Sequence, residues 1–152
     1  MLDHDTKIVV VDLDGTLYND IGRKHLVEAG LWDDYHRASI DDEPWPDVLA
    51  QLGMLSVDVV TVACTGRNVA FDPITRQWME KHDAQIDHLI MRPNGNYLPD
   101  HELKPQLLSE FFQLTHEELQ EHVLFILEDR DKVVDAWRSL GYRCWQVQPG
   151  GF

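Results

Sequence analysis

The most constraining feature of this chain is an alternation of short, nearly unbroken apolar runs with helical patterns. β-Rich stretches lie at 7–13, 57–64, 86–91, 123–127 and 142–147, and the first, second and fourth are almost continuous in Val, Ile and Leu. Strands covered on both faces read this way, whereas a sheet with one wet face alternates. Between them lie helical patterns at 44–55, 73–82, 102–112, 115–121 and 130–140, the last followed by Gly141. The pattern predicts a three-layer α/β/α, Rossmann-like parallel sheet with right-handed crossovers. With 152 residues, no repeat and no Ser/Gly linker, residues 1–152 are expected to form a single domain.

In such sheets ligands bind beyond the carboxyl ends of the strands, where the strand order reverses. Three of those ends carry polar groups: Asp12-Leu13-Asp14-Gly15-Thr16, Cys64-Thr65-Gly66-Arg67 and Glu128-Asp129-Arg130. Asp12 and Asp14 are one residue apart, so a regular strand points both to one side, and Gly15 lets the backbone turn at once. Two carboxylates so close repel, which leaves two stable solutions: a bound divalent cation, or a proton on one of them. An Asp-rich turn closing a strand is the plain alternative.

An apolar strand followed by D-x-D-G-T resembles the opening motif of the haloacid dehalogenase superfamily of phosphohydrolases. Thr65 matches its second element, Lys104 its third, and Glu128-Asp129 its acidic fourth. Thr65-Gly66-Arg67, Met91-Arg92-Pro93, Asp100 followed by Lys104, and the run from Val133 to Phe152 look more narrowly like the phosphatase domain of phage polynucleotide kinase-phosphatases. This chain departs from that group in having Asn96 and Leu98 where an acidic residue and an Arg are usual, and Glu128-Asp129 where Asp-Asp is common.

The resemblance implies that Asp12 is the nucleophile and forms an aspartyl-phosphate, with Asp14 as general acid and then base. It implies Mg²⁺ held by Asp12, Asp129 and the backbone carbonyl of Asp14, with Glu128 beside them. Thr65 and the amide after it, at Gly66, are expected to bind the transferring phosphoryl group, and Lys104 to neutralise its oxygens. Arg67 is placed to clamp a phosphate, with Arg23 and Arg92 on the same substrate-facing rim. Arg130 opens a helix against its dipole and is expected to lean on Asp129 or Asp131.

Superfamily members often carry a cap domain over the site. Between Thr16 and the second strand only about forty residues are available, read as a polar segment at 20–42 and one helix, so the site is expected to be capless or minimally capped. An open site suits the phosphorylated end of a nucleic acid, and a 3′-phosphatase is the favoured reading. A nucleotidase or small-molecule phosphatase, and a non-catalytic binding module, are the alternatives. Lys and Arg number 13 against 27 Asp and Glu, a net charge of −14, so a polyanion must be met locally rather than by the whole surface. No Walker-A sequence is present, so a kinase half would be a separate chain, and a separate kinase or ligase is a candidate partner.

The N-terminal residues show no secretory pattern and no apolar run approaches the ~20 residues of a membrane span, from which a cytoplasmic location is expected. Cys64 and Cys144 form no C-x-x-C pair and read as buried reduced thiols. The eight His show no metal-ligand spacing, and the five Trp read as core or helix-packing residues.

Overall fold

A computed structural model describes residues 2–151; Phe152, the last residue of the resemblance, lies outside them. Five strands form one sheet: β1 (Lys7–Val11), β2 (Val59–Asn68), β3 (His88–Arg92), β4 (Val123–Glu128) and β5 (Cys144–Gln146). They lie in the order β3-β2-β1-β4-β5 and every pairing is parallel. β1 is therefore central, and the chain order reverses between β1 and β4. Helices α1 (Lys24–Glu28), α2 (Trp32–Ala38), α3 (Pro46–Gly53), α4 (Asp72–Lys81), α5 (Asp100–Phe112), α6 (His116–Gln120) and α7 (Asp131–Ser139) complete the fold.

The apolar run of β1 shows why three layers form. Ile8 and Val10 face one core with Leu103, Leu107 and Leu108 of α5 and Val133, Val134 and Trp137 of α7. Val9 and Val11 face the other with Val48 and Leu52 of α3 and Trp78 and Met79 of α4. Alternate side chains of one strand thus go to opposite cores, and all four are fully buried. Pro46 opens α3, where its missing N–H costs nothing, and the Thr115 side chain and Glu118 form a capping box at the start of α6.

Two local features differ from the sequence reading. The second strand does not stop at Cys64; it continues to Asn68, with a slip in its register against β3 between Cys64 and Asn68. Such irregularities re-aim side chains, and this one falls on Thr65-Gly66-Arg67. The polar segment at 20–42 is not featureless: it folds as 3-10 turns around α1 and α2. These helices bury almost nothing of their own, Tyr35 being the one buried residue of the pair, which is why no apolar period marks them. They stand at the mouth of the sheet's carboxyl edge and supply a minimal cap. No helix among the described residues is long and apolar enough to cross a membrane.

Candidate active site

The chain leaves β1 at Asp12, whose backbone N–H donates to the Leu127 carbonyl of β4 at 3.0 Å. The amides of Thr16, Leu17 and Tyr18 then all converge on the Leu13 carbonyl, folding 12–18 into a tight loop. Gly15 sits at φ +85°, and a Cβ there would overlap the Asp129 carboxylate, so this position requires glycine twice over.

Asp12, Glu128 and Asp129, all buried, offer carboxylate oxygens within 4.8 Å of one another. One cation faces them: Lys104 Nζ donates to Asp12 Oδ1 at 2.6 Å and to Glu128 Oε2 at 2.8 Å. The other Glu128 oxygen accepts from the backbone N–H groups of Asp129 and Arg130, so this side chain is spent on the frame of the site. The Thr16 hydroxyl lies 3.0 Å from Asp12 Oδ2 and 3.2 Å from Asp129 Oδ1. Asp129 Oδ2 is buried with no hydrogen-bond partner among the described residues.

Three carboxylates against one ammonium leave the cluster short of positive charge. Burial, then Glu128, push the Asp12 carboxyl well above its ordinary pKa, and burial and Glu128 likewise raise Asp129 to about 7. Burial alone would lower the Lys104 pKa, but Asp12 and Glu128 raise it well above its usual value, so it stays charged. Clustered hard oxygens, one of them orphaned and aimed into space that only a glycine leaves open, fit a divalent cation of the Mg²⁺ type.

Asp14 belongs to a different group. Its side chain turns away from the three-carboxylate cluster, and its Oδ1 accepts from Arg23 Nη2 at 2.5 Å and Arg67 Nη2 at 2.6 Å. The turn at Gly15 thus resolves the expected Asp12–Asp14 repulsion by giving each carboxylate its own cation. Burial would raise the Asp14 pKa, but Arg67 and Arg23 hold it well below the usual carboxylate range. Both arginines are almost fully buried and are fixed on further sides. Arg23 binds Asp42 through Nε at 2.8 Å and the Tyr35 carbonyl through Nη1 at 3.1 Å, and its guanidinium lies 4.1 Å from the Tyr35 ring centre. Arg67 donates to Thr75 at 2.9 Å and lies 4.8 Å from the Tyr18 ring centre.

The remaining expected residues lie around the same cleft. Thr65 is buried and its hydroxyl accepts from the Arg67 N–H at 3.1 Å. The Gly66 carbonyl accepts from Arg92 Nε, and Arg92 Nη1 donates to the Asn96 and Leu98 carbonyls, so Arg92 staples the β3–α5 loop down. Asp100 takes Arg92 on one oxygen at 2.6 Å and Arg130 on the other at 2.8 Å. Arg130 therefore finds its acid on α5, not beside it at Asp129 or Asp131 as the sequence suggested, because the β4–α7 turn aims it across the cleft.

The sequence reading missed His36. Its Nδ1 lies 3.9 Å from Asp14 Oδ2 in the cleft wall, and burial pushes it down to about 4, so it is neutral at pH 7. No ligand spacing marks it; the i, i+4 relation to Trp32 on α2 was the available signal. The cleft has a volume of about 590 Å³ and runs from Asp12 and Asp14 out past α2 on one side and the loop 93–99 on another.

An all-parallel sheet of this order, with a carboxylate triad and a lysine at the reversal point, defines a phosphohydrolase of the haloacid dehalogenase type. The family model of the polynucleotide kinase PNKP phosphatase domain matches residues 6–152, and the chain belongs to that family. It is 28% identical over 137 residues to a protein of Autographa californica nuclear polyhedrosis virus that carries the name of a bifunctional polynucleotide kinase/RNA ligase, covering 88% of this chain and 18% of the viral one. It superimposes on a chain of the Pnkp1/Rnl/Hen1 complex with a TM-score of 0.80 and 29% identity, covering 99% of this chain and 49% of that one. A chain from a structure titled as the Pnkp1/Rnl/Hen1 RNA repair complex gives 0.77 and 30%, with coverage of 99% and 46%. The haloacid dehalogenase-like hydrolase SP0104 of Streptococcus pneumoniae, at 16% identity and a TM-score of 0.65, covers 93% of this chain and 84% of its own, and shares the fold. The chain thus spans about half the length of the Pnkp1 complex chains and under a fifth of the viral relative.

Proposed function

We propose that this domain removes phosphate from the 3′ ends of polynucleotides through an aspartyl-phosphate on Asp12, with Asp12 and Asp129 holding Mg²⁺. The observation that supports it best is the buried Asp12–Glu128–Asp129 cluster at the floor of the cleft, with Lys104 paired to Asp12 and Glu128. When bound, the cation supplies the missing positive charge for a carboxylate to approach a phosphate dianion.

Asp12 attacks phosphorus through the oxygen not tied to Lys104, while the ester oxygen leaves and takes a proton from Asp14. Asp14 holds no proton while both arginines face it in the empty cleft, so it takes one up as the substrate's anionic groups enter beside it, before the ester oxygen leaves. A water then attacks the aspartyl-phosphate, Asp14 accepts its proton, and inorganic phosphate departs. Lys104 and the Thr65 hydroxyl steady the transferring oxygens, and Glu128 keeps Lys104 and the β4–α7 turn in place. Addition of phosphate by a P-loop kinase belongs to another domain or chain, for this sequence has no Walker-A loop. Unbridged buried Cys64 and Cys144 agree with a cytoplasmic setting.

The test is phosphate release, with and without Mg²⁺, from oligonucleotides phosphorylated at the 3′ or the 5′ end and from mononucleotides. Mg²⁺-dependent release that favours the oligonucleotide 3′ end is expected, with acid-stable trapping of label on wild type and none on Asp12→Asn. Mononucleotides turning over much faster than oligonucleotides would replace this reading with a nucleotidase.

A further inference from the structure

Beside Asp14 the cleft wall is a strip of rings. His36 Nδ1 is 3.9 Å from Asp14 Oδ2, the His36 ring lies 5.3 Å from Phe71 and 6.3 Å from Trp32, and Trp32 forms the outer end of the strip at the cleft mouth. Trp32 is 50% exposed on a helix whose one buried residue is Tyr35. It stands edge-on to the Tyr35 ring, at 5.9 Å and 85°. Tyr35 in turn is pinned by its hydroxyl bond to Asp20 at 2.7 Å and by the Arg23 guanidinium over its face. The indole is thus a braced, half-bare ring that packs no core, one histidine away from the residue proposed to protonate the leaving oxygen.

Charge alone supplies little grip here. The chain carries −14, and the guanidinium hydrogen bonds of Arg23, Arg67 and Arg92 go to Asp14, Asp42, Asp100, Thr75 and backbone carbonyls. An acidic protein that must hold a polyanion end briefly gains most from a contact that does not depend on charge, and ring-on-base stacking is such a contact. A braced ring loses little freedom when it is covered.

The geometry points to Trp32 as the stacking platform for the base of the 3′-phosphorylated terminal nucleotide, the residue that makes this site select a nucleotide end over a bare phosphate ester. This rests on the 3′-phosphatase reading. It predicts that the ester is recognised together with its base and that the phosphate reaches Asp12 past His36.

The test compares kcat/KM on a 3′-phosphorylated oligonucleotide with that on the same oligonucleotide whose terminal sugar lacks its base. Wild type should favour the intact end. In Trp32→Ala the ratio of the two should shrink about tenfold, mainly through KM for the intact end, and Trp32→Phe should restore most of it. An unchanged ratio in Trp32→Ala, with both ends hydrolysed, overturns the platform and leaves the phosphatase standing. A wild type that acts on neither 3′-phosphorylated end overturns the parent reading and the platform with it.

Discussion

The Lys104 ammonium lies 2.6 Å from the carboxylate of Asp12, ninety-two residues away in sequence, and both are buried at the floor of the cleft. The contact joins the second turn of α5 to the tip of β1 and decides which oxygen of Asp12 faces the cleft. Replacing Lys104 with Met keeps the aliphatic stem and removes the charge, leaving Asp12 and Glu128 buried without a cation. Breaking such a pair costs about 3–5 kcal/mol. Denaturant unfolding of Lys104→Met should show a loss of that order at pH 8, smaller at pH 5 where Asp12, its carboxyl raised by burial and Glu128, takes up a proton, along with a large fall in phosphatase rate.

The same cluster sets a pH dependence opposite to that of most acidic proteins. Burial and Glu128 raise Asp129 to about 7, and burial raises Asp42 to about 6, while the unfolded chain titrates both near the ordinary value of 3.8. Between those limits the folded state binds more protons than the unfolded one, so the stability these groups contribute falls as pH rises. Asp14 and His36 act the other way: the Asp14 pKa is lowered, so its loss of stabilisation begins only below the ordinary value, while burial lowers His36 from 6.5 to about 4 and so offsets part of the fall between those two values. The metal-free melting temperature should drop by a few degrees from pH 5 to pH 8, and millimolar Mg²⁺ should reverse the drop at pH 8. A metal-free protein that melts higher at pH 8 than at pH 5 would contradict the carboxylate cluster as its source.

Gly15 offers a separable test of the cation site. An Ala there meets a φ of +85° and the Asp129 oxygens together. Backbone strain of this kind costs about 1 kcal/mol, and moving the buried Asp129 carboxylate aside adds to it, a sum that a domain stable by roughly 5–15 kcal/mol tolerates. Gly15→Ala should therefore remain folded by circular dichroism while the Mg²⁺ concentration needed for half-maximal rate rises at least tenfold.

Arg23→Lys probes the clamp on Asp14. An ammonium cannot reach Asp14, Asp42 and the Tyr35 carbonyl at once as the guanidinium does. A fall in kcat of roughly tenfold to a hundredfold is expected, with Tm reduced by a few degrees. Unaltered kcat would show that Arg23 does not position Asp14.

How much of this could be read before folding depended on how local the cause was. β1 and its aspartate tip were legible because a strand buried on both faces is apolar without a break, and because D-x-D-G-T needs only neighbours in sequence. The opposite held for 20–42: α1 and α2 face a cleft, not a core, so their sequence carries no period, and Arg23, expected on the substrate-facing rim, is only 2% exposed behind Asp14. The pairing of Arg67 with Asp14 spans fifty-three positions, and that of Arg130 with Asp100 spans thirty. Neither can be inferred from the acids nearby, which is why Arg130 was expected to lean on its neighbours.

The central place of β1 between β2 and β4 has a bearing on synthesis at the ribosome. The aspartate tip is made before the rest of the sheet, yet its lysine arrives with α5 and its acidic partners only at the end of β4. A growing polypeptide thus carries its proposed nucleophile early, with the carboxylate cluster of the proposed ion site incomplete until the fourth strand has slotted in beside the first.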